Sequence, residues 1–121
     1  MQTLKTLVLG ASLKPNRYSY YAIERLVAHG VPVVAVGLRA GIVAGVKIET
    51  ERILFPDVDT VTLYMNPERQ ESYFDYILAL KPRRVIFNPG TENARFEYLL
   101  ADNGILADRA CTLVLLSTNQ Y

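Results

Sequence analysis

The sequence predicts an α/β fold in which a mostly parallel sheet of about five strands lies between two layers of helices. Short runs of β-branched and leucine residues alternate with segments of helical periodicity, and glycine or proline separates them. The first runs also lack the polar alternation of a half-exposed strand. Because strands and helices alternate through nearly the whole sequence, crossover connections should place helices on both faces of the sheet.

The first half of the chain contains two main strands, one helix and a minor strand. Residues 6–9 form a strand that ends at a glycine, and residues 33–36 form the second. Between them Ile23 and Leu26 recur at helical spacing, and a Gly-Val-Pro sequence ends a helix over residues 19–29. Residues 37–45 are predicted to be a loop that leads to a minor strand at 46–49.

The second half continues the alternation of strands and helices. Each of its strands is a short, largely apolar run, and proline or glycine marks the ends of its helices. The predicted elements are a strand at residues 61–65, a helix that Pro67 opens and Pro82 ends, a strand at 84–87, a helix between the turn at 88–90 and Gly104, and a last strand at 112–116.

Composition and charge exclude several classes of protein. The 121 residues are 50% hydrophobic, which is enough for one domain over residues 1–121 to form a core without disulfides. The formal net charge of +1 gives no field that would gather nucleic acid or an anionic membrane. No apolar run approaches the roughly 18 residues that cross a bilayer. With a lone cysteine and no secretory signal, we expect a cytoplasmic protein.

Polar and cationic residues follow the first strand. The loop over residues 10–19 combines a tight-turn glycine, hydroxyl groups, Lys14, Arg17 and the start of a helix. Ligands of open α/β sheets bind beyond the carboxyl ends of the strands, where backbone N–H groups at a helix start favour an anion. Both cations can add charge-assisted hydrogen bonds. The loop therefore predicts a phosphate site, with a solvated loop and an ordinary Ser19 cap as the alternative.

The loop lacks the usual dinucleotide fingerprint. Of the three fingerprint glycines only Gly10 is present, and no acidic residue ends the second strand to bind the ribose of NAD. NAD is therefore disfavoured. The second strand instead runs into Val36, Gly37 and Arg39, which offer an apolar rest for a purine and a guanidinium for a 2′- or 3′-phosphate. NADP and coenzyme A both stay open, as does Arg39 as a solvated loop cation.

Residues 10–19, 88–93 and 110–118 carry the most specific patterns in the chain. Together they resemble the small stand-alone coenzyme A-binding proteins, which are related to the nucleotide-binding domain of succinyl-CoA synthetase. The resemblance covers essentially the whole chain and implies a Rossmann-like fold that binds coenzyme A or an acyl-CoA.

By that resemblance the candidate cofactor-binding residues form a diphosphate group, a ribose-phosphate group, an adenine cleft and supporting loop positions. The pyrophosphate would be held by Gly10, Ala11, Ser12 and Arg17, and the ribose phosphate would face Arg39. The adenine cleft would be lined by Val36, Leu63, Tyr64 and Met65. The strand-end loops would be completed by Lys14, Tyr18, Ser19, Gly37, Asn66, Asn88, Pro89 and Gly90.

No catalytic group stands out. The synthetase carries a phosphorylated histidine in a second domain and needs a nucleotide-grasping partner, and neither feature is found in these residues. The single histidine, His29, is predicted to interact with a helix dipole at the helix end. Glu92 is the best candidate for acid or base chemistry, although a glutamate in a first helical turn stabilises the helix without catalysis. Cys111, at the start of the predicted last strand, is expected to be an inert packing residue.

Three functions remain open from the sequence. The first is non-catalytic binding of coenzyme A or an acyl-CoA. The second is an NADP- or acyl-CoA-dependent enzyme, or an enzyme subunit that a partner chain completes. The third is a protein-interaction scaffold that binds no nucleotide. A homodimer formed through an exposed last strand is also open, and neither nucleic acid nor membrane is an expected partner.

Overall fold

A computed structural model describes residues 4–121 of the chain. The strands are β1 Thr6–Ala11, β2 Val33–Gly37, β3 Gly41–Val43, β4 Val46–Glu49, β5 Thr60–Leu63, β6 Arg84–Phe87 and β7 Leu106–Arg109. The helices are α1 Tyr18–Ala28, α2 Pro67–Gln70, α3 Phe74–Leu80, α4 Ala94–Asp102 and α5 Thr112–Ser117, and a 3₁₀ turn at Glu71–Tyr73 joins α2 to α3.

The strands of the described residues form one mostly parallel seven-stranded sheet in the order β3-β4-β2-β1-β5-β6-β7. Central β1 pairs in parallel with β2 on one side and with β5 on the other. Beyond β2, the sheet continues through parallel β4 to β3, which is antiparallel to β4. Beyond β5, it continues through β6 and β7, both parallel. The sheet thus grows from β1 in one direction and then from β5 in the other.

Both faces of the sheet are buried, as the sequence predicts. Leu7 and Leu9 point into a core shared with α3 and α4, where Phe74 and Phe96 stack with ring centroids 4.1 Å apart. Val8, on the opposite face of β1, belongs to a second core shared with α1 and α5. Burial on both faces explains why these strands read as continuous apolar runs without alternation.

The predicted last strand is wrong. Residues 112–116 belong to α5, and the edge position beside β6 is occupied by Leu106–Arg109. A short apolar run fits a packed helix as well as a buried strand, and here Thr112 and Leu116, one helical turn apart, are the buried positions. Strand β7 was not predicted because an edge strand is partly solvated and so lacks a continuous apolar run. It contains Asp108 and an exposed leucine, Leu106.

Three smaller differences concern boundaries. The predicted loop over residues 37–45 contains the three-residue strand β3, which raises the strand count above the expected five. The helix that Pro67 opens is interrupted by the 3₁₀ turn, and α4 starts only at Ala94.

Within residues 4–121, no helix combines the length and the apolar character that a membrane crossing requires.

Candidate functional site

The loops after β1 and β5 border a crevice at the carboxyl edge of the sheet. The chain leaves β1 towards β2 on one side and leaves β5 towards β6 on the other. Helix α1 packs on one face of the sheet and α3 on the opposite face, so the two loops diverge. Such a reversal of strand order is where open α/β sheets bind ligands.

Two glycines allow the three strand ends at this crevice to approach closely. Gly10 has φ +93°, and a Cβ there would lie 2.5 Å from the carbonyl oxygen of Tyr64. At Gly37, a Cβ would collide with the carbonyl oxygen of Ala11. A side chain at either position would therefore push β1 away from a neighbouring strand end. The prediction that the first strand ends at a tight-turn glycine is wrong, because Gly10 lies inside β1, where the pairing register with β2 shifts between Leu9 and Ala11.

The loop between β1 and α1 is folded by two local hydrogen bonds. The backbone N–H of Lys14 donates to Ser12 Oγ at 3.1 Å, and that of Arg17 donates to the Lys14 carbonyl at 3.0 Å. The Lys14 and Arg17 side chains are exposed, and within residues 4–121 neither forms an ion pair. The loop thus presents two unneutralised cations beside the start of α1.

Helix α1 differs from the other helices that start at this edge. Its N-cap is Arg17, no side chain accepts a hydrogen bond from its first turn, and that turn contains no acidic residue. By contrast, Asn66 caps α2 and Asn93 caps α4 through their side-chain oxygens. The first N–H of α5, from Thr112, donates to Asn88 Oδ1 at 2.9 Å. Among the helices described at this edge, α1 alone presents its first-turn N–H groups without a side-chain acceptor.

Ser19 does not cap this helix. It lies inside α1 and is buried, so the alternative in which a Ser19 cap satisfies the helix start is excluded. Tyr18, the first helical residue, is exposed.

The residues expected to line an adenine cleft are mostly core residues. Val36, Leu63 and Met65 are buried in the core on the α3 and α4 face. The Tyr64 side chain packs into the opposite core, where its hydroxyl is buried without a hydrogen-bond partner. Burial raises the pKa of this hydroxyl above its ordinary value. None of these four side chains offers an open apolar wall at the crevice.

Two exposed leucines provide apolar surface at this edge instead. Leu38, which directly follows β2, is 73% exposed. Leu13, in the loop after β1, packs on Gly41, where an added Cβ would contact the leucine side chain. The sequence analysis does not single out Leu13, although an apolar residue inside an otherwise polar loop is a signal for it. Arg39 follows Leu38, is exposed, and forms no ion pair within residues 4–121.

Asn88 is a buried structural residue. Its Nδ2 donates to Thr62 Oγ1 at 2.6 Å and to the Leu63 carbonyl at 2.8 Å, and its Oδ1 accepts from the N–H of Thr112. The Thr62 and Thr112 hydroxyls are themselves 2.8 Å apart. Asn88 therefore ties the ends of β5 and β6 to the start of α5, and its amide does not face the crevice.

The turn after β6 joins a second set of buried amides that the sequence analysis missed. Gln70 Nε2 donates to the Met65 carbonyl at 3.0 Å and to the Thr91 carbonyl at 2.7 Å. Gln70 Oε1 accepts from Asn93 Nδ2 at 3.1 Å, and Thr91 bonds to the Asn88 carbonyl through both its N–H and its hydroxyl. We call Gln70, Asn88, Thr91 and Asn93 the polar cluster. Pro89 and Gly90 lie on the exposed outer side of this turn.

Residues 5–117 match the family model described as CoA binding domain. The chain belongs to the CoA-binding domain family. Membership supports coenzyme A binding in general. None of the curated proteins matches the chain.

Solved structures share the fold of this CoA-binding domain. A crystal structure of an uncharacterized protein superposes with a TM-score of 0.96 at 51% identity, covering 100% of both chains. A Thermus thermophilus protein gives a TM-score of 0.87 at 21% identity, covering 99% of this chain and 92% of its own. A hypothetical protein from Pyrococcus horikoshii OT3 gives 0.84 at 24% identity, covering 97% and 84%. The latter two similarities show the fold alone.

The three other candidate reactive residues of the CoA-binding domain, His29, Glu92 and Cys111, lie at helix ends. His29 caps the carboxyl end of α1 and its Nδ1 lies 2.8 Å from the Arg25 carbonyl, which confirms its predicted place at a helix end. Glu92 precedes α4, and its carboxylate accepts from the N–H of Gly90 at 2.9 Å. Cys111 is half-buried and precedes α5, so its predicted place in a strand is wrong. Within residues 4–121, no group of three His, Cys, Asp or Glu residues is arranged to hold a metal ion.

Proposed function

We propose that this domain binds coenzyme A non-catalytically, with the diphosphate held at the start of α1. The observation that carries the proposal is the uncapped first turn of α1 at the reversal of strand order. A helix start offers free N–H groups and the positive end of the dipole, both of which favour an anion. Lys14 and Arg17 are exposed beside it and can add charge-assisted hydrogen bonds.

The backbone of residues 10–12 would carry the rest of the diphosphate contact. Because Gly10 and Gly37 lack side chains, the ends of β1, β2 and β5 pack closely together, and this packing fixes the backbone of residues 10–12. In this arrangement Ala11 and Ser12 contribute backbone groups, while Ser12 Oγ is already used in the loop. Tyr18 and Ser19 contribute the first backbone N–H groups of the helix.

The adenine and ribose phosphate would lie against the loop after β2. Leu38 supplies an exposed apolar surface for a purine, and Arg39 next to it supplies a guanidinium for a phosphate on the ribose. Coenzyme A carries this phosphate at the 3′ position and NADP at the 2′ position, so the same residues would contact either one. Family membership favours coenzyme A.

Isothermal titration calorimetry with coenzyme A, dephospho-coenzyme A, NADP and NAD tests the proposal. Coenzyme A should bind most tightly, and dephospho-coenzyme A should bind more weakly because Arg39 loses its phosphate. Arg17→Ala should weaken coenzyme A binding about tenfold or more, the loss expected for one charge-assisted hydrogen bond. Arg25→Ala, at the other end of the same helix, is the matched control and should leave affinity unchanged.

Each other outcome points to a different function. Tighter binding of NADP than of coenzyme A would favour an NADP-dependent enzyme or subunit. Absence of binding by all four nucleotides would overturn the phosphate site and favour a protein-interaction scaffold. Equal affinities of the Arg17→Ala and Arg25→Ala variants for coenzyme A would show that the phosphate does not bind at the start of α1.

A further inference from the structure

Two contacts join the loop after β1 to the connection between β2 and β3. The first is between backbones, because a Cβ at Gly37, the last residue of β2, would collide with the Ala11 carbonyl. The second involves a side chain. Leu13 packs on Gly41, the first residue of β3, where a Cβ would overlap the end of the leucine side chain. The two contacts bracket residues 38–40.

The bracketed residues include the cation that is proposed to contact the ribose phosphate. Arg39 is the middle residue of the three and is exposed. Leu13 itself belongs to the loop that carries Lys14 and Arg17, the cations of the proposed diphosphate site. The contact between Leu13 and Gly41 therefore connects the two proposed phosphate-binding loops directly.

The two sides of this contact differ in rigidity. Gly41 pairs with Ile48 of β4, and Val43, two residues further along β3, is 2% exposed and belongs to a core. Leu13 lies in a loop and is 37% exposed, so its side chain has room to move. A change at either contact residue should therefore move the loop after β1 and leave β3 in place.

The hydrogen bonds inside the loop after β1 do not involve the Leu13 side chain. The N–H of Lys14 donates to Ser12 Oγ, and the N–H of Arg17 donates to the Lys14 carbonyl. Loss of the leucine side chain should therefore keep the local fold of the loop and change where the loop lies relative to Arg39.

The relative position of the two loops matters for a nucleotide that carries phosphate at two places. In such a ligand the ribose limits the separation between the diphosphate and the phosphate on the sugar. A protein obtains the full affinity from both groups when its cations already lie at the matching distance, because ordering loops during binding costs free energy.

We infer that Leu13 is a positioning residue that lets the site select nucleotides with a ribose phosphate in addition to a diphosphate. The inference rests on the proposed function and adds the residue that determines its selectivity. Leu13 holds the diphosphate loop at a fixed place beside Arg39, so that one nucleotide contacts both. Gly41 is part of the same device, since a side chain at this position would displace Leu13.

Titration calorimetry with coenzyme A and dephospho-coenzyme A tests the inference. The parent protein should prefer coenzyme A about tenfold or more, the effect of one charge-assisted contact to the ribose phosphate. In Leu13→Ala and in Gly41→Ala this preference should fall to about threefold or less, while the affinity for dephospho-coenzyme A stays within about threefold of the parent value. The φ of Gly41 is not positive, so Gly41→Ala acts through Leu13 and adds no backbone strain.

Gly45→Ala, in the turn between β3 and β4, is the matched control. Its φ of +80° makes a side chain unfavourable, but no atom lies within 4 Å of an added Cβ. Because this variant strains the backbone without touching Leu13, it separates a loss of stability from a loss of selectivity. It should keep the parent preference for coenzyme A.

Two further variants test whether the effect passes through the Leu13 side chain. Leu13→Met keeps an apolar side chain of similar volume and should keep the preference. In the Leu13→Ala background, Gly41→Ala should cause no further change, because the leucine that it would displace is gone.

The remaining outcomes separate this inference from the proposed function. A preference of about tenfold that persists in Leu13→Ala would overturn the inference and leave coenzyme A binding intact. Equal losses of affinity for both ligands in Leu13→Ala would also overturn it, since Leu13 would then support the diphosphate alone. Failure of the parent protein to bind either ligand would overturn the proposed function and the inference together.

Discussion

Gly10 and Tyr64 are packed backbone to backbone across the crevice between β1 and β5. The space beside the Gly10 α-carbon is closed by the Tyr64 carbonyl, with the oxygen 2.5 Å and the carbon 2.8 Å from where a Cβ would be. The N–H of Tyr64 also donates to the Leu9 carbonyl at 2.9 Å. The proposed diphosphate loop is therefore held directly against the end of β5.

Gly10→Ala should destabilise the protein through two separate costs. A residue with a side chain at positive φ loses about 1–2 kcal/mol, and overpacking against a fixed carbonyl adds about 1–3 kcal/mol. Urea unfolding followed by circular dichroism measures the sum. The matched control is Gly45→Ala in the turn between β3 and β4, where φ is +80° and no atom lies within 4 Å of an added Cβ. It should show the first cost alone, and equal losses would contradict a steric role of Tyr64.

The parts of the fold that the sequence predicts well are those buried on both faces. For β1 and β2, the apolar runs predict the strands, because every side chain in the run is needed in a core. The predicted end of β1 is too early, since the strand continues past Gly10 to Ala11. The edge elements are different. The run at 112–116 is as apolar as a central strand, and only the tertiary position of β7 beside β6 decides that it forms a helix.

The candidate site likewise has one part that the sequence predicts and another part that it does not. The loop over residues 10–19 is predictable because its glycine, cations and helix start are close together in sequence. The role of Asn88 is not, since its partners Thr62 and Thr112 lie 26 and 24 residues away. An asparagine after a strand indicates a ligand contact or a buried bridge equally well, and the choice depends on what the fold brings next to it.

Asn88→Ala should strongly reduce stability. It leaves the Leu63 carbonyl and the Thr112 N–H without their partner, and each buried unpaired group costs about 1–3 kcal/mol. We expect a loss of about 2–4 kcal/mol in the free energy of unfolding, measured by urea denaturation. Asn103→Ala is the control, because its amide bonds to the Leu99 carbonyl at an exposed helix end. Its effect should stay within about 0.5 kcal/mol. Similar losses in both variants would show that Asn88 is not a bridge.

Tyr76→Phe should lower the stability of the protein, whereas Tyr64→Phe should not. The Tyr64 hydroxyl is buried near the Thr62 and Thr112 hydroxyls but makes no hydrogen bond of good geometry with either, so its removal should leave the protein equally or more stable. The Tyr76 hydroxyl donates to the Ile53 carbonyl at 2.5 Å, and losing that bond should cost about 1 kcal/mol. Thermal unfolding of the two variants makes the comparison. A loss in Tyr64→Phe as large as in Tyr76→Phe would mean that the Tyr64 hydroxyl has a partner in solution, such as a buried water.

Stability should fall in alkaline solution as buried tyrosines ionise. Burial raises the pKa of Tyr76 to about 12, and burial also raises the pKa values of Tyr64 and Tyr121. An unfolded tyrosine titrates near pH 10, so below that pH both states keep the proton and stability is complete. Above it the unfolded state loses protons first, and the free energy of unfolding decreases as pH rises through about 12.

Urea midpoints measured between about pH 8 and pH 11.5 should reveal this decline. In Tyr76→Phe the decline should be shallower, because one ionising hydroxyl with a raised pKa is gone. Tyr98→Phe removes an exposed hydroxyl from α4 and should leave the slope as it is in the parent protein. A midpoint that stays constant across the range would show that the folded protein lets Tyr76 ionise as readily as the unfolded chain does, and would contradict the burial of its hydroxyl in solution.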